Sequence, residues 1–345
     1  VAAAGSSPEK KEALNMIKVG IPHSLFYFYY YPLWKTFFES LGAQIIKSYP
    51  TTRLTVNQGV QLAVDEACLP IKVYFGHVKE LAEKGVDYLF VPRLVSVETK
   101  SYICPKFMGL PDMIRAGIPD LPPLIDMTID ISKTNKYLYT DIVRVGRLFE
   151  ASKKRIWQAY EKGKQELRFC QALASQGLSP QEAIQVWEGE MVAEQGEERL
   201  RLGVLGHGYS LYDDLLSMNL IAHLRSLGCQ VVLAEHVDPH DIEANAATLP
   251  KRVFWTLGRK MVGSALHFDQ NDQIDGIVYL ACFGCGPDSL VGEIIERRIV
   301  NKPFIMLTVD EHTGEAGMLT RLEAFVDMIE RQRRQAFENN LSAHG

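Results

Sequence analysis

Four of the six cysteines stand where chemistry can be done. Cys282 and Cys285 are separated by two residues in ACFGCGPD (281–288), with Gly284 and Gly286 on either side of Cys285. Those glycines let the backbone fold tightly around whatever two thiolates hold. Cys68 lies just before a helical pattern over 71–82, where the helix dipole and free N–H groups stabilise a thiolate. Cys104 is followed by Pro105 in the segment YICP (102–105). Thiolate sets of this kind hold zinc or an iron–sulfur cluster, whereas a lone C-x-x-C serves equally well as a redox dithiol. A structural zinc site is usually built from close pairs. Here one pair is close, and the other two cysteines come from the opposite half of the chain. That spacing predicts a metal in the cleft between two domains, with Cys68, Cys104, Cys282 and Cys285 as ligands. The Cys-Pro pair and the purely thiolate donors favour iron–sulfur over zinc. Cys229 opens a core strand and Cys170 sits in a connecting helix, so both read as packing residues.

Other polar residues offer less. His312 and Glu315 follow the last strand and could serve as acid and base beside a substrate at the cluster, or equally cap the next helix. His207 lies in Gly206-His207-Gly208, where a phosphate-binding loop would be. The full G-x-G-x-x-G is missing, and no nucleotide is expected there. His77 reads as a packing residue behind Cys68. The aromatic run 26–31 should lie at the carboxyl edge of the first strand, either excluding water from the cleft or packing the domain interface.

The elements that must position these residues come in two matched sets. Residues 17–21 form a short strand, 33–41 a helix stopped by Gly42, and 43–46 a second strand. Residues 202–205, 215–227 (stopped by Gly228) and 229–233 repeat that order. ESLGAQIIKS (39–48) matches RSLGCQVVLA (225–234), VDYLFVP (86–92) matches IDGIVYL (274–280), and PLIDMTID (123–130) matches PFIMLTVD (303–310). The pattern predicts an α/β protein of two Rossmann-like parallel-sheet domains joined by connecting helices, with the cluster in the interdomain cleft. The divisions expected are a leader or tag at 1–15, domain one at 16–140, a helical connection at 141–200, domain two at 201–318 and a C-terminal helix at 319–345.

Composition sets the outer limits. The chain has 345 residues, 47% of them hydrophobic and 23% charged, with a net charge of -5. That is the balance of a folded protein with a proper core rather than a disordered chain. The charge gives no reason to expect a nucleic-acid partner. An apolar run of membrane-spanning length is missing, and 1–15 lacks the apolar centre of an export signal, so a cytoplasmic protein with reduced cysteines is expected.

The sequence resembles the 2-hydroxyacyl-CoA dehydratase-like superfamily, in its activase-related branch with the double-cubane cluster proteins. VDEACLPIKVYFGHV (64–78), YICPKFMGLPDMIR (102–115), ACFGCGPDSLV (281–291), TVDEHTGEAGMLTRLEAF (308–325) and YYYPLWKTFFESLGA (29–43) carry the likeness. It implies two Rossmann-like domains around a [4Fe-4S]-type cluster or a larger double cluster. It also implies a homodimer and an ATP-hydrolysing activator, with an iron–sulfur cluster of its own, as electron donor. The expected function is therefore acceptance of low-potential electrons, then reduction of a small molecule or onward relay. A radical 2-hydroxyacyl-CoA dehydratase component and a zinc-stabilised two-domain binding protein are the alternatives. Dehydratase subunits supply three cysteines per cubane, whereas four are present here, and no basic groove for CoA phosphates is evident.

Overall fold

The computed structural model describes residues 16–192 and 199–343, so the expected leader at 1–15 lies outside the described residues. The first half contains β1 (Lys18–Ile21), β2 (Gln44–Lys47), β3 (Tyr88–Phe90), β4 (Arg93–Ser96), β5 (Leu124–Ile125) and β6 (Thr128–Asp130). β2-β1-β3-β5 form one parallel sheet, and β4 and β6 form a small parallel pair beyond it. The second half contains β7 (Leu200–Gly206), β8 (Cys229–Leu233), β9 (Gly276–Cys282) and β10 (Phe304–Val309), in the order β8-β7-β9-β10. Counted among the strands of each four-stranded sheet, the order is the same: second, first, third, fourth. Both sheets are wholly parallel, which requires helical crossovers on their faces.

The matched sequence landmarks become matched bonds. Asp87 Oδ2 accepts the backbone N–H of Lys18 at 2.7 Å, and Asp275 Oδ2 accepts that of Arg201 at 2.8 Å. Each aspartate thus ties the start of the third strand to the start of the first. Gly42 and Gly228, the two helix stops, both take positive φ, as a left-handed helix end requires. The α/β, two Rossmann-like architecture expected from the sequence is the one observed.

Several elements differ from their sequence patterns. The first helix is Tyr27–Ser40, so the aromatic run lies within the helix and Pro32 is inside it. Proline costs the hydrogen bond to its fourth predecessor. Burial of Tyr27, Phe28, Tyr31, Trp34, Phe37 and Phe38 along that helix outweighs it. The stretch 215–227 is not one helix. Met218 and Asn219 adopt positive φ, and the regular helix is Leu220–Ser226. Cys282 is the last residue of β9 rather than a loop residue.

The connection consists of helices Lys136–Arg147, Lys153–Ser175 and Pro180–Trp187. The third opens with a reciprocal cap between Ser179 and Glu182, as its Ser-Pro start suggests. The last helix is Glu315–Ala343. The largest hydrophobic cluster runs through residues of both sheets, from Val19 and Leu89 to Val204 and Leu307.

Candidate metal centre

Three of the four cysteines occupy the same local position. Cys68 caps the N-terminus of helix Leu69–Glu83, Cys104 that of the single turn Pro105–Met108, and Cys285 that of helix Gly286–Arg298. Each is followed by proline at the first or second helical position: Pro70, Pro105 and Pro287. Proline fits there because that backbone N–H has no intrahelical partner anyway. The backbone N–H groups of Ile71, Lys106 and Asp288 act on the sulfurs of Cys68, Cys104 and Cys285 in the direction that favours the thiolate, although none of these sulfurs makes a side-chain cap bond. The fourth thiol, Cys282 Sγ, lies 3.2 Å from Ser210 Oγ.

The fold brings these thiols towards one another. Cys68 interacts electrostatically with Cys104 and with Asp288, while Cys282 and Cys285 both interact with Cys68. Two residues from the first half and two from the second therefore lie within electrostatic reach of one another, although of the four only Cys285 belongs to a group of ligand atoms within 4.8 Å. In the second sheet the site lies at the carboxyl ends of β7 and β9, adjacent strands between which the strand order reverses. Open parallel sheets bind ligands in such crevices.

Burial pushes all four thiols above the ordinary cysteine range. The Asp288 carboxylate adds to the rise at Cys282 and Cys285, and the Lys106 ammonium offsets part of it at Cys68. Thiols in such surroundings give up their protons to a cation, and a coordinating thiol is deprotonated outright. The helix starts at Cys68, Cys104 and Cys285 would stabilise the resulting negative charge. The donor set thus fits a thiolate-ligated metal group.

Beside it is a pair that sequence reasoning passed over. Asp288 accepts from His207 Nδ1 at 2.7 Å, Tyr279 Oη at 2.8 Å and the Cys282 N–H at 3.0 Å. Burial alone would raise its pKa, but His207 and these donors hold the carboxyl below its ordinary range. An ionised carboxylate only accepts, so His207 Nδ1 is the donor in this pair. A carboxylate fixing an imidazole in this way is how metal-binding histidines are oriented. The ligand atoms of His207, Cys285 and Asp288 all lie within 4.8 Å of one another. In the sequence, His207 stands only in an incomplete nucleotide motif. Its partner is 81 residues away, so the usable signal was that both come just after the carboxyl ends of strands that a repeated fold makes neighbours.

A family model matches this chain over residues 18–237: the CoA enzyme activase uncharacterised domain. The chain belongs to that family. At a coarse level this is a 2-hydroxyacyl-CoA dehydratase- and activase-like relationship. No curated protein matches the chain. The family match includes Cys68, Cys104 and His207 and ends before Cys282, Cys285 and Asp288. In this activase-related chain, the second half of the thiol set is therefore placed by the fold.

The other expected site residues lie nearer the surface. Gly284 has φ +71° and open space where a Cβ would be, and Gly286 also faces open space. Phe283, between the two cysteines, is 70% exposed, so this loop reaches the surface while its sulfurs do not. His312 and Glu315 are exposed or nearly so. The His312 backbone N–H is held by Asp310 Oδ1 at 2.9 Å in a turn leading to the last helix. Their neighbour Glu311 reaches the buried Lys72 ammonium, one turn beyond Cys68, at 2.6 Å. Cys170 and Cys229 are buried, and burial raises both thiols to about 11. Among the described residues, no helix is long and apolar enough to cross a membrane.

Proposed function

We propose that this protein holds an iron–sulfur cluster between its two halves, accepts low-potential electrons from an ATP-hydrolysing activator, and reduces a small molecule or relays the electron. The observation that supports this reading is that thiols from both halves lie within electrostatic reach of one another, three of them at helix starts, beside the close group of His207, Cys285 and Asp288. When bound, the cluster supplies one-electron chemistry at a potential set by charge, burial and hydrogen bonds to sulfur. The chain's own contribution is to hold and shield it. Cys68, Cys104, Cys282 and Cys285 would be the ligands, and Asp288 would fix His207 beside them. Phe26, Phe107 and Tyr209 pack in sequence, at 4.8 and 5.5 Å between ring centroids, and exclude water from one side. The activator, with a cluster of its own, would be the electron donor. A homodimer in the cytoplasm completes the proposal. His312 and Glu315 would act, if a substrate extends to them, as acid and base groups at the edge of the site.

The second reading, a radical 2-hydroxyacyl-CoA dehydratase component, is favoured by the family relationship and by a large cleft. That cleft, about 1050 Å³, is lined by Tyr29 and Tyr30 from the first half and by Glu235, Arg259 and Lys260 from the second. It is of the size that holds an extended ligand. Binding of a 2-hydroxyacyl-CoA to the reduced protein would support this reading, and absence of any CoA affinity would remove it.

The deciding measurement is iron, sulfide and zinc per chain in anaerobically purified protein, with an EPR spectrum after reduction. About four irons with matching sulfide would support one cubane, and about eight a double cluster. Zinc without sulfide would overturn the redox reading in favour of a zinc-stabilised binding protein.

A further inference from the structure

Tyr209 stands in the thiol pocket with its hydroxyl unused. It comes after β7 in the short turn Gly208–Leu211 and is 4% exposed. Its ring is stacked on that of His207, with centroids 4.9 Å apart and planes inclined by 20°. On another side is Phe107, at 5.5 Å, whose own backbone N–H is bonded to Cys104 O at 3.0 Å. Held between these rings, the phenol cannot swing away. Its polar neighbours are Cys285, Asp288, Cys68 and Cys104, so the oxygen end of the side chain faces the thiols from both halves.

The Tyr209 hydroxyl is not one of the fully enclosed polar atoms left without a partner, so it keeps some access, and a group bound beside it can accept its hydrogen bond. Tyr279, beside it, donates to Asp288 at 2.8 Å, and Tyr29 Oη accepts the Gly208 N–H at 2.8 Å. The Tyr209 hydroxyl makes no hydrogen bond to any described residue. Its surroundings are sulfur and one carboxylate that already has three donors. Sulfur bearing negative charge is thus the acceptor that this position provides.

We propose that Tyr209 donates a hydrogen bond to a sulfur of the metal centre and so raises its reduction potential. This rests on the cluster reading above. Reduction adds negative charge to the cluster, and a donor to sulfur stabilises the more negative state. Tyr209 would be a positioning residue for charge, distinct from the ligands and from the backbone N–H donors at the helix starts.

The test is Tyr209→Phe, which keeps the ring and its stacking. Iron and sulfide content should match the unaltered protein. The midpoint potential, tracked by EPR during a reductive titration, should fall by about 59 mV, a tenfold loss in the one-electron reduction equilibrium. An exchangeable proton coupled to the reduced cluster should disappear from the ENDOR spectrum. A ring-fluorinated tyrosine at 209 strengthens the donor and should move the potential upward, which keeps the test open if the phenylalanine variant loads poorly. An unchanged potential with full iron in both position-209 variants would overturn this inference alone. Unaltered protein without iron and sulfide would overturn it together with the cluster reading.

Discussion

At the scale of single residues, the chemistry of this chain depends on the prolines placed just beyond its cysteines. Cys68, Cys104 and Cys285 each have a proline within two residues that opens a helix or a turn, so the sulfur that could ligate a metal stands at a helix start beside backbone N–H groups without an intrahelical partner. Cys229, among packed apolar side chains on β8, has no such proline beyond it. Cys285→Ala should therefore lose most of the iron of anaerobically purified protein while Cys229→Ala retains it; equal iron in the two variants would defeat the ligand assignment. The two glycines of the same loop should separate as well. Gly284 sits at φ +71°, where a side chain costs about 1 kcal/mol, whereas Gly286 has neither that conformation nor a nearby atom in the way. Gly284→Ala should lower thermal stability and cluster retention, and Gly286→Ala should leave both within error.

At the scale of elements, Cys68 is placed by the close approach of helices Arg53–Leu62 and Leu69–Glu83. A Cβ on Gly59 would stand 1.9 Å from Lys72 O, and one on Gly76 would stand 2.1 Å from Thr55 O. Neither backbone can yield without moving the helix that Cys68 begins. Gly76→Ala should force the pair apart, with a loss of about 1–3 kcal/mol in urea denaturation and a fall in iron content. Normal iron with full stability would mean that Cys68 is held by something other than this contact. This contact also marks how far the sequence could be read. The order of elements along the chain, the helix stops and the helix-start place of Cys68 come from local signals: Gly42 and Gly228, and apolar runs ahead of each loop. The aromatic helix from Tyr27 was hidden by Pro32, because the compensation for its missing N–H comes from tertiary burial. The break at Met218 and Asn219 was hidden by an apolar periodicity that continues through it. Asp288 and His207 could be recognised as a pair only after β7 and β9 were known to be neighbours.

At the scale of the whole molecule, the halves are joined by polar contacts that cross the cleft. Lys72 meets Glu311, Arg259 meets Glu98 and the Ser101 hydroxyl, and Thr51 donates to Asp213 and is bonded to His77 Nε2 at 2.9 Å. The last of these has a pH consequence. Burial lowers His77 from 6.5 to about 3, and burial aided by Lys47 lowers His23 to about 4. Below pH 6.5 the unfolded chain takes up protons that the folded chain refuses, so stability falls as the pH drops towards those values. Asp213 works in the opposite direction. Burial raises it to about 6, so the folded state gains a proton before the unfolded state does, and acid favours folding through that group between about 6 and 3.8. Two histidines displaced further than one aspartate leave a net loss in acid. The urea midpoint should therefore fall between about pH 7 and about pH 4.5. His77→Gln keeps an N–H for Thr51 but cannot titrate, and should make that fall shallower. An equally steep loss in the variant would place the acid sensitivity outside this network. Because Thr51 and His77 belong to the first half and Asp213 to the second, a shallower loss would identify the boundary between the halves as the part of the molecule that acid opens first.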